Sequence, residues 1–380
     1  MSHDLVARAA VAFPAMLEDI ERLIRCESPS DDLEAVSRSA DLLAGIGEQR
    51  LGAAPERLPI DGRPHLRWRL GSTDPGAPRV LVLAHHDTVW PVGSLATHPF
   101  SVEAGLLRGP GCFDMLTGLV MALHALGSIS LAADAGGAVT LLVTADEEVG
   151  SPSSRALVEE EAHGCRAALV LEASGDGGAL KIGRKGVSLY RVQIEGRAAH
   201  AGLEPEKGLN ATVELAHQVL AVADLGDAVA QTTVTPTVAV SGTTTNTVAA
   251  HAEFSVDARA FTLAEQERVD RAMRALTSVT GAAVSVHGGI NRPPLERGAA
   301  EPLLARAQAV AARLDLPEPV GIVVGGASDG NFAAGIGVPT LDGLGAVGGG
   351  AHADHEHVVL DQIAPRTALL AALVLDLLSP

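Results

Sequence analysis

The stretch VLVLAHHDTV, residues 80–89, runs five aliphatic residues directly into two histidines and an aspartate. Continuous apolar residues without alternation suit a strand buried on both faces, as in a parallel sheet covered by helices. Two later stretches repeat the plan. VTLLVTADEEVG (139–150) ends in Glu147 and Glu148, and AALVLEAS (167–174) carries Glu172 just past its apolar run. The segments between them, 116–126 and 154–162, have helical periodicity and enough length for crossovers. The reading is an α/β protein with a mixed, mostly parallel sheet flanked by helices. In such sheets ligands bind outside the carboxyl ends of the strands, so the three ionisable clusters can converge.

Working outward, residues 5–25 and 32–51 read as amphipathic helices. Between 185 and 294 the pattern changes to strand, helix, strand, strand, helix, strand, with alternation in VSLYRVQIEG and AHAEFSVDARAF. That order describes a ferredoxin-like α+β unit. The expected organisation is therefore a first domain built from 1–184 and 295–380, with 185–294 inserted. A chain of 380 residues is longer than one core usually grows, which fits two domains. Aromatic residues make up only 2%, so the core must be mostly Ala, Val and Leu.

The bulk properties exclude several classes. With 28 Lys and Arg against 46 Asp and Glu, and no basic cluster, nucleic acid and anionic membranes are poor partners. Cys26, Cys112 and Cys165 are scattered, so neither a disulfide framework nor a thiolate zinc site is expected. The N-terminal residues lack a secretory signal pattern, and no apolar stretch approaches the ~20 residues of a membrane helix. A cytoplasmic protein is expected.

The candidate chemistry lies in carboxylates and imidazoles, the ligands of hydrolytic zinc or similar divalent ions. His85 can ligate while Asp87 orients it, although HHD can also be a polar strand end. Asp114, in GPGCFDM (109–115), sits where a loop enters a helix; it can bridge two metals or simply cap the helix. Of Glu147 and Glu148, one can bind metal while the other moves a proton; two adjacent acids can equally be a solvated charge run. Glu172, among apolar and small residues, needs a partner or a metal. His352, in GGGAHADHEH, is a further candidate ligand. Gly343, Gly345 and Gly348 match GxGxxG but do not open a helix, which argues against a dinucleotide site.

Taken together, these segments resemble the co-catalytic zinc metallopeptidase and aminoacylase family, from about residue 19 to the C-terminus. The resemblance lies in their order: HxD, GxxD, EE, E, an inserted domain, then a late histidine. It implies two divalent metal ions, zinc foremost with cobalt or manganese as alternatives. His85 and Glu172 would hold one, Glu148 and His352 the other, and Asp114 would bridge. It further implies Glu147 as general base, Asp87 orienting His85, and a cis peptide after Asp114. The inserted unit would be a lid and dimerisation domain. Within it, His200 in GRAAHAG would stabilise the oxyanion, commonly from a partner subunit, and Asn246, Arg259 and Arg292 would approach the substrate. Gly325, Gly326 and Ser328, in GGASDG, would offer backbone amides to a substrate carboxylate. Where members often have Lys after the bridging aspartate, this chain has Leu116 and Thr117.

The expected activity is hydrolysis of an amide or peptide bond next to a free carboxylate in a small peptide or N-acyl amino acid. SRALVEEEA, HAGLEPEKGLNA and GGASDGNFAA resemble the glutamate-carboxypeptidase branch. The alternatives are an N-acyl-amino-acid deacylase and, outside enzymes, a catalytically silent metal-binding scaffold.

Overall fold

The 80–89 stretch forms the strand Arg79–His85, in which every residue after Arg79 is buried. It is visible in a computed structural model that describes residues 2–131 and 136–379. The strand pairs in parallel with Ala138–Thr144 on one side and Ala167–Val170 on the other. A short parallel strand, Thr340–Leu341, extends the sheet beyond Ala167–Val170. At the opposite edge, Glu56–Ile60 and Arg63–Gly71 add antiparallel strands, giving a mixed six-stranded sheet. Their hairpin turns on Asp61 and Gly62, with φ of 50° and 78°. Both values are those of a type I′ turn, for which Asp-Gly is a strong local signal.

Side-chain alternation divides the core between the two faces of this sheet. Val80, Val82 and Ala84 join the larger cluster, to which helices Ser2–Ile24, Leu33–Leu51, Thr117–Gly127 and Ile363–Leu378 contribute. Leu81 and Leu83 face the smaller one, with Leu157, Val158 and Phe332 from helices Arg155–Ala162 and Gly330–Gly335. Helix Leu33–Leu51 starts where Asp32 accepts hydrogen bonds from the amides of Glu34 and Ala35, and stops at Gly52 with φ 72°.

The chain divides into two units, Met1–Gly183 with Arg297–Val324 and Ser328–Pro380, and Arg184–Glu296 with Gly325–Ala327. The second is a ferredoxin-like α+β unit. Its antiparallel sheet runs in the order Thr233–Ser241, His251–Ala260, Gly186–Glu195, Ala283–Arg292, with helices Ala211–Ala223 and Leu263–Arg274 in the connections. Tyr190, Val192, Phe254, Val256, Val269 and Met273 fill its core. Among the described residues no helix is long and apolar enough to cross a membrane.

Glu214, in the first turn of helix Ala211–Ala223, is fully buried. Burial alone would raise its pKa from the ordinary 4.5, but donors from Thr280, Gln218 and the amides of Val279 and Thr280 pull it down to about 2. A depressed folded-state pKa contributes stability that is full above pH 4.5 and lost as pH falls towards 2. Glu214→Gln is expected to destabilise this unit by ~2–4 kcal/mol at pH 7. Urea melts should find the gap from wild type narrowing at pH 3; a gap independent of pH would refute this origin.

Candidate metal centre

Because three central strands run parallel, their carboxyl ends share one edge of the sheet. His85 is the last residue of its strand, Glu147 and Glu148 lie on a short turn after Thr144, and Glu172 follows Val170 by two residues. Asp114 comes from the tight turn Cys112–Leu116, entered through Gly111 with φ 71°. A Cβ at Gly111 would lie 2.6 Å from Thr88 Cγ2, so the turn needs glycine both for conformation and for space. The Asp114–Met115 peptide is cis. His352 reaches the same place from the loop after Gly350, with its own backbone at φ 61°.

The two oxygens of Asp114 face different partners. Its Oδ1 lies 3.5 Å from His85 Nε2, which is 3.6 Å from Glu172 Oε1. Its Oδ2 lies 3.2 Å from His352 Nε2, which is 3.1 Å from Glu148 Oε2. One ligand atom each from His85, Asp114 and Glu172 fall within 4.8 Å of one another, as do those of Asp114, Glu148 and His352. Each triad offers the oxygen and nitrogen donors of a divalent-ion site, and Asp114 belongs to both.

Two observations show that this donor set fits cations. His85 Nε2 and Glu148 Oε1 are buried and lack a hydrogen-bond partner among the described residues, a costly condition for polar atoms unless something else satisfies them. The electrostatics agree. Burial lowers the His85 pKa, but the carboxylates of Asp114, Asp87 and Glu172 more than reverse it and hold it well above its ordinary value. Asp114 and Glu148 raise His352 to about 10, against a smaller effect of burial. Asp114 itself, raised by burial, is drawn below its ordinary value by His352 and His85. Burial raises Glu148. The carboxylates favour positive charge between them.

Asp87 connects the two halves of this cluster in a way that differs from the expectation. His85 Nδ1 lies 2.9 Å from the backbone carbonyl of Asp87, and its carboxylate is farther, at 3.4 Å. A proton on Nδ1 leaves Nε2 as the ligating nitrogen. The Asp87 carboxylate instead accepts from Ser30 Oγ at 2.6 Å and from the amides of Glu147 at 3.3 Å and Glu148 at 3.2 Å. It therefore holds the acidic turn. Asp146, for which the sequence suggests no role, and Asp329, expected only to lend a backbone amide in the GGASDG loop, brace the ends of this turn. Asp146 accepts from the amides and hydroxyls of Ser153 and Ser154, and Asp329 from the hydroxyls of Thr144 and Ser151.

The cluster gathers His85, Asp87, Asp114, Glu147, Glu148, Glu172 and His352 from the first unit. Ser328 needs correction. Its amide donates to Asn331 Oδ1 and its hydroxyl to Asp342, both in the core, so it braces its loop and offers nothing to a substrate. The remaining candidates belong to the second unit. There His200 is exposed, and its Nδ1 accepts from the amides of Gly202 and Leu203, which leaves the proton of the neutral ring on Nε2. Asn246 is exposed and its carbonyl accepts from Ala201. Arg259 pairs with both carboxylate oxygens of Asp257 and reaches the carbonyl of Gly325; Gly326 accepts from Arg184; Arg292 is buried.

Comparison with known proteins covers most of the chain. A model of peptidase family M20/M25/M40 matches residues 81–376. The chain is 31% identical to carboxypeptidase G2 of Pseudomonas sp. (strain RS-16), over 96% of this chain and 89% of that protein. It is 34% identical to the succinyl-diaminopimelate desuccinylase of Paracoccus denitrificans, over 52% of this chain and 54% of that one. Aminopeptidase PepT from Bacillus cereus shares the fold, with a TM-score of 0.73 at 22% identity, covering 95% of this chain and 98% of the other. Spanning the strand that ends in His85, the acidic turn and the late histidine, the match shows that this chain belongs to peptidase family M20/M25/M40 and is an enzyme that hydrolyses peptide or amide bonds.

Proposed function

We propose that the chain is a two-metal hydrolase of the glutamate-carboxypeptidase type, cleaving an amide bond next to a free carboxylate. The observation that carries this is the sharing of Asp114 between two ligand triads, with Glu147 on the turn that also bears Glu148. In this reading His85 and Glu172 would hold one ion and Glu148 and His352 the other, with Asp114 as the ligand the two would share. Bound divalent ions, zinc foremost with cobalt or manganese as alternatives, would polarise the scissile carbonyl and acidify a water.

The chain's own groups do the rest. Glu147 takes the proton from the attacking water and returns it to the leaving amine. Asp87 keeps Glu147 in place through its amide. His200, with its proton on Nε2, donates to the oxyanion of the tetrahedral intermediate. Arg259, Arg292 and Asn246, with the amides of Gly325 and Gly326, receive the substrate carboxylate. The second unit acts as lid and homodimer contact. Three free cysteines suit a reducing, cytoplasmic setting.

The segments that resemble the glutamate-carboxypeptidase branch, beside the 31% identity to carboxypeptidase G2, support glutamate as the released amino acid. The identity to the desuccinylase supports a second reading, an N-acyl-amino-acid deacylase with the same centre. Turnover of N-acyl and aminoacyl glutamates against N-acetyl derivatives of other amino acids separates them. The expected result is the highest kcat/KM for C-terminal glutamate, and a loss of about 10²-fold or more when its α-carboxylate is amidated, since charged recognition groups are then left unpaired. Preference for N-acetyl amino acids regardless of side chain would favour the deacylase. Indifference to amidation would sink both.

A further inference from the structure

Glu356 lies four residues after His352 and immediately before the strand His357–Val359. It is only 4% exposed. Its Oε1 accepts from the amides of Phe113 at 2.9 Å and Asp114 at 3.0 Å, and its Oε2 from the amide of Gly111 at 2.9 Å and Trp90 Nε1 at 2.8 Å. Three amides of one tight turn thus aim at a single carboxylate, and the backbone amide of Asp114 is among them. The strand that follows pairs with Leu106–Arg108, directly upstream of that turn. This pairing fixes Glu356 against it. Trp90 adds the segment three residues beyond Asp87.

We propose that Glu356 is a positioning residue that sets where the two Asp114 oxygens point, by clamping the turn that bears Asp114 to the loop that bears His352. It ligates nothing. Its effect reaches the reaction only through Asp114, and the inference rests on the reading of Asp114 as the shared ligand. A negative charge is needed because all four groups facing it are donors. An amide in its place would set an NH₂ against at least one of them. Partners of this kind around metal ligands typically alter metal affinity or activity by about 10–100-fold.

The test compares Glu356→Gln, Glu356→Asp, Trp90→Phe and Asp114→Asn in the full chain, stripped of metal and titrated with Co²⁺ alone. Affinity, stoichiometry and the visible absorption of the bound Co²⁺ are read beside kcat, KM and the melting midpoint of the metal-free protein. Glu356→Gln is expected to weaken at least one Co²⁺ by about 10–100-fold, alter the spectrum and lower kcat about 10–100-fold. KM should stay close to wild type, whereas the metal-free midpoint should fall by a few degrees, because an NH₂ then faces a buried donor. Trp90→Phe, which leaves all three backbone bonds, should bind Co²⁺ as wild type does. Wild-type Co²⁺ affinity and spectrum in Glu356→Gln would overturn the proposal, as would equal damage in Trp90→Phe. Should Glu356→Gln not fold, Glu356→Asp decides: its carboxylate is drawn back by one methylene, so weaker Co²⁺ binding supports the clamp and unchanged binding refutes it. Two tightly bound Co²⁺ in Asp114→Asn would remove the shared-ligand reading and the clamp with it. Loss in Asp114→Asn beside wild-type binding in Glu356→Gln would remove the clamp alone.

Discussion

Glu147→Gln is expected to lower kcat by roughly 10³-fold, within the range by which a positioned general acid–base group accelerates proton transfer. KM should change by no more than a few-fold, and both metal ions should still bind. The substitution keeps the shape of the side chain and removes its capacity to carry a proton. The turn should keep its place, because the backbone amide of Glu147 is held by Asp87 and the turn is braced by Asp146 and Asp329. Glu147 is 8% exposed, so bulk water is poorly placed to take over its role. Steady-state kinetics beside metal analysis checks the prediction. A variant within tenfold of wild-type kcat, loaded with the same metal, would falsify the assignment of Glu147.

Chelation should have the other large effect, abolishing activity until zinc or cobalt is restored. Asp114, Glu148 and Glu172 bring three carboxylates into two triads that share Asp114. A cation that binds the folded state but not the unfolded one adds stability by mass action, about 4 kcal/mol at a thousandfold excess over Kd. For a unit of this size that corresponds to a rise in melting midpoint of roughly 5–10 °C. Calorimetry with and without metal measures it. Full turnover by protein shown free of metal would contradict the two-metal reading, and an unchanged midpoint at saturating metal would contradict the cluster as its binding place.

Much of this was legible in the sequence because the signals are local. The aliphatic runs before His85, Glu147 and Glu172 specify buried parallel strands, and parallel strands bring their carboxyl ends together without further information. The alternation in 186–195 and 251–260 likewise encodes a sheet covered on one face. The hairpin of residues 56–71 was missed although Asp61-Gly62 marks it, since an edge strand as polar as Glu56–Ile60 lacks an apolar pattern. Glu356, and the bracing of the acidic turn by Asp329, are illegible in the sequence for a different reason. Glu356 bonds to residues more than 240 positions away, and Asp329 to residues about 180 away, so no window of sequence contains either contact. Ser328 differs from the expectation because a Gly-rich loop reads as open throughout, whereas its amide and hydroxyl are bonded to Asn331 and Asp342 and only Gly325 and Gly326 of the loop are exposed.

The pairing of Thr340–Leu341 with Ala167–Val170 has a consequence for biosynthesis. A polypeptide leaving the ribosome carries His85, Asp114, Glu148 and Glu172 early. It must then complete an entire second folding unit before the segment bearing His352 emerges. Contacts over such separations form late. On the proposed two-metal reading, the nascent chain lacks a ligand of the second ion until the segment bearing His352 has been made, so the proposed centre would be completed late.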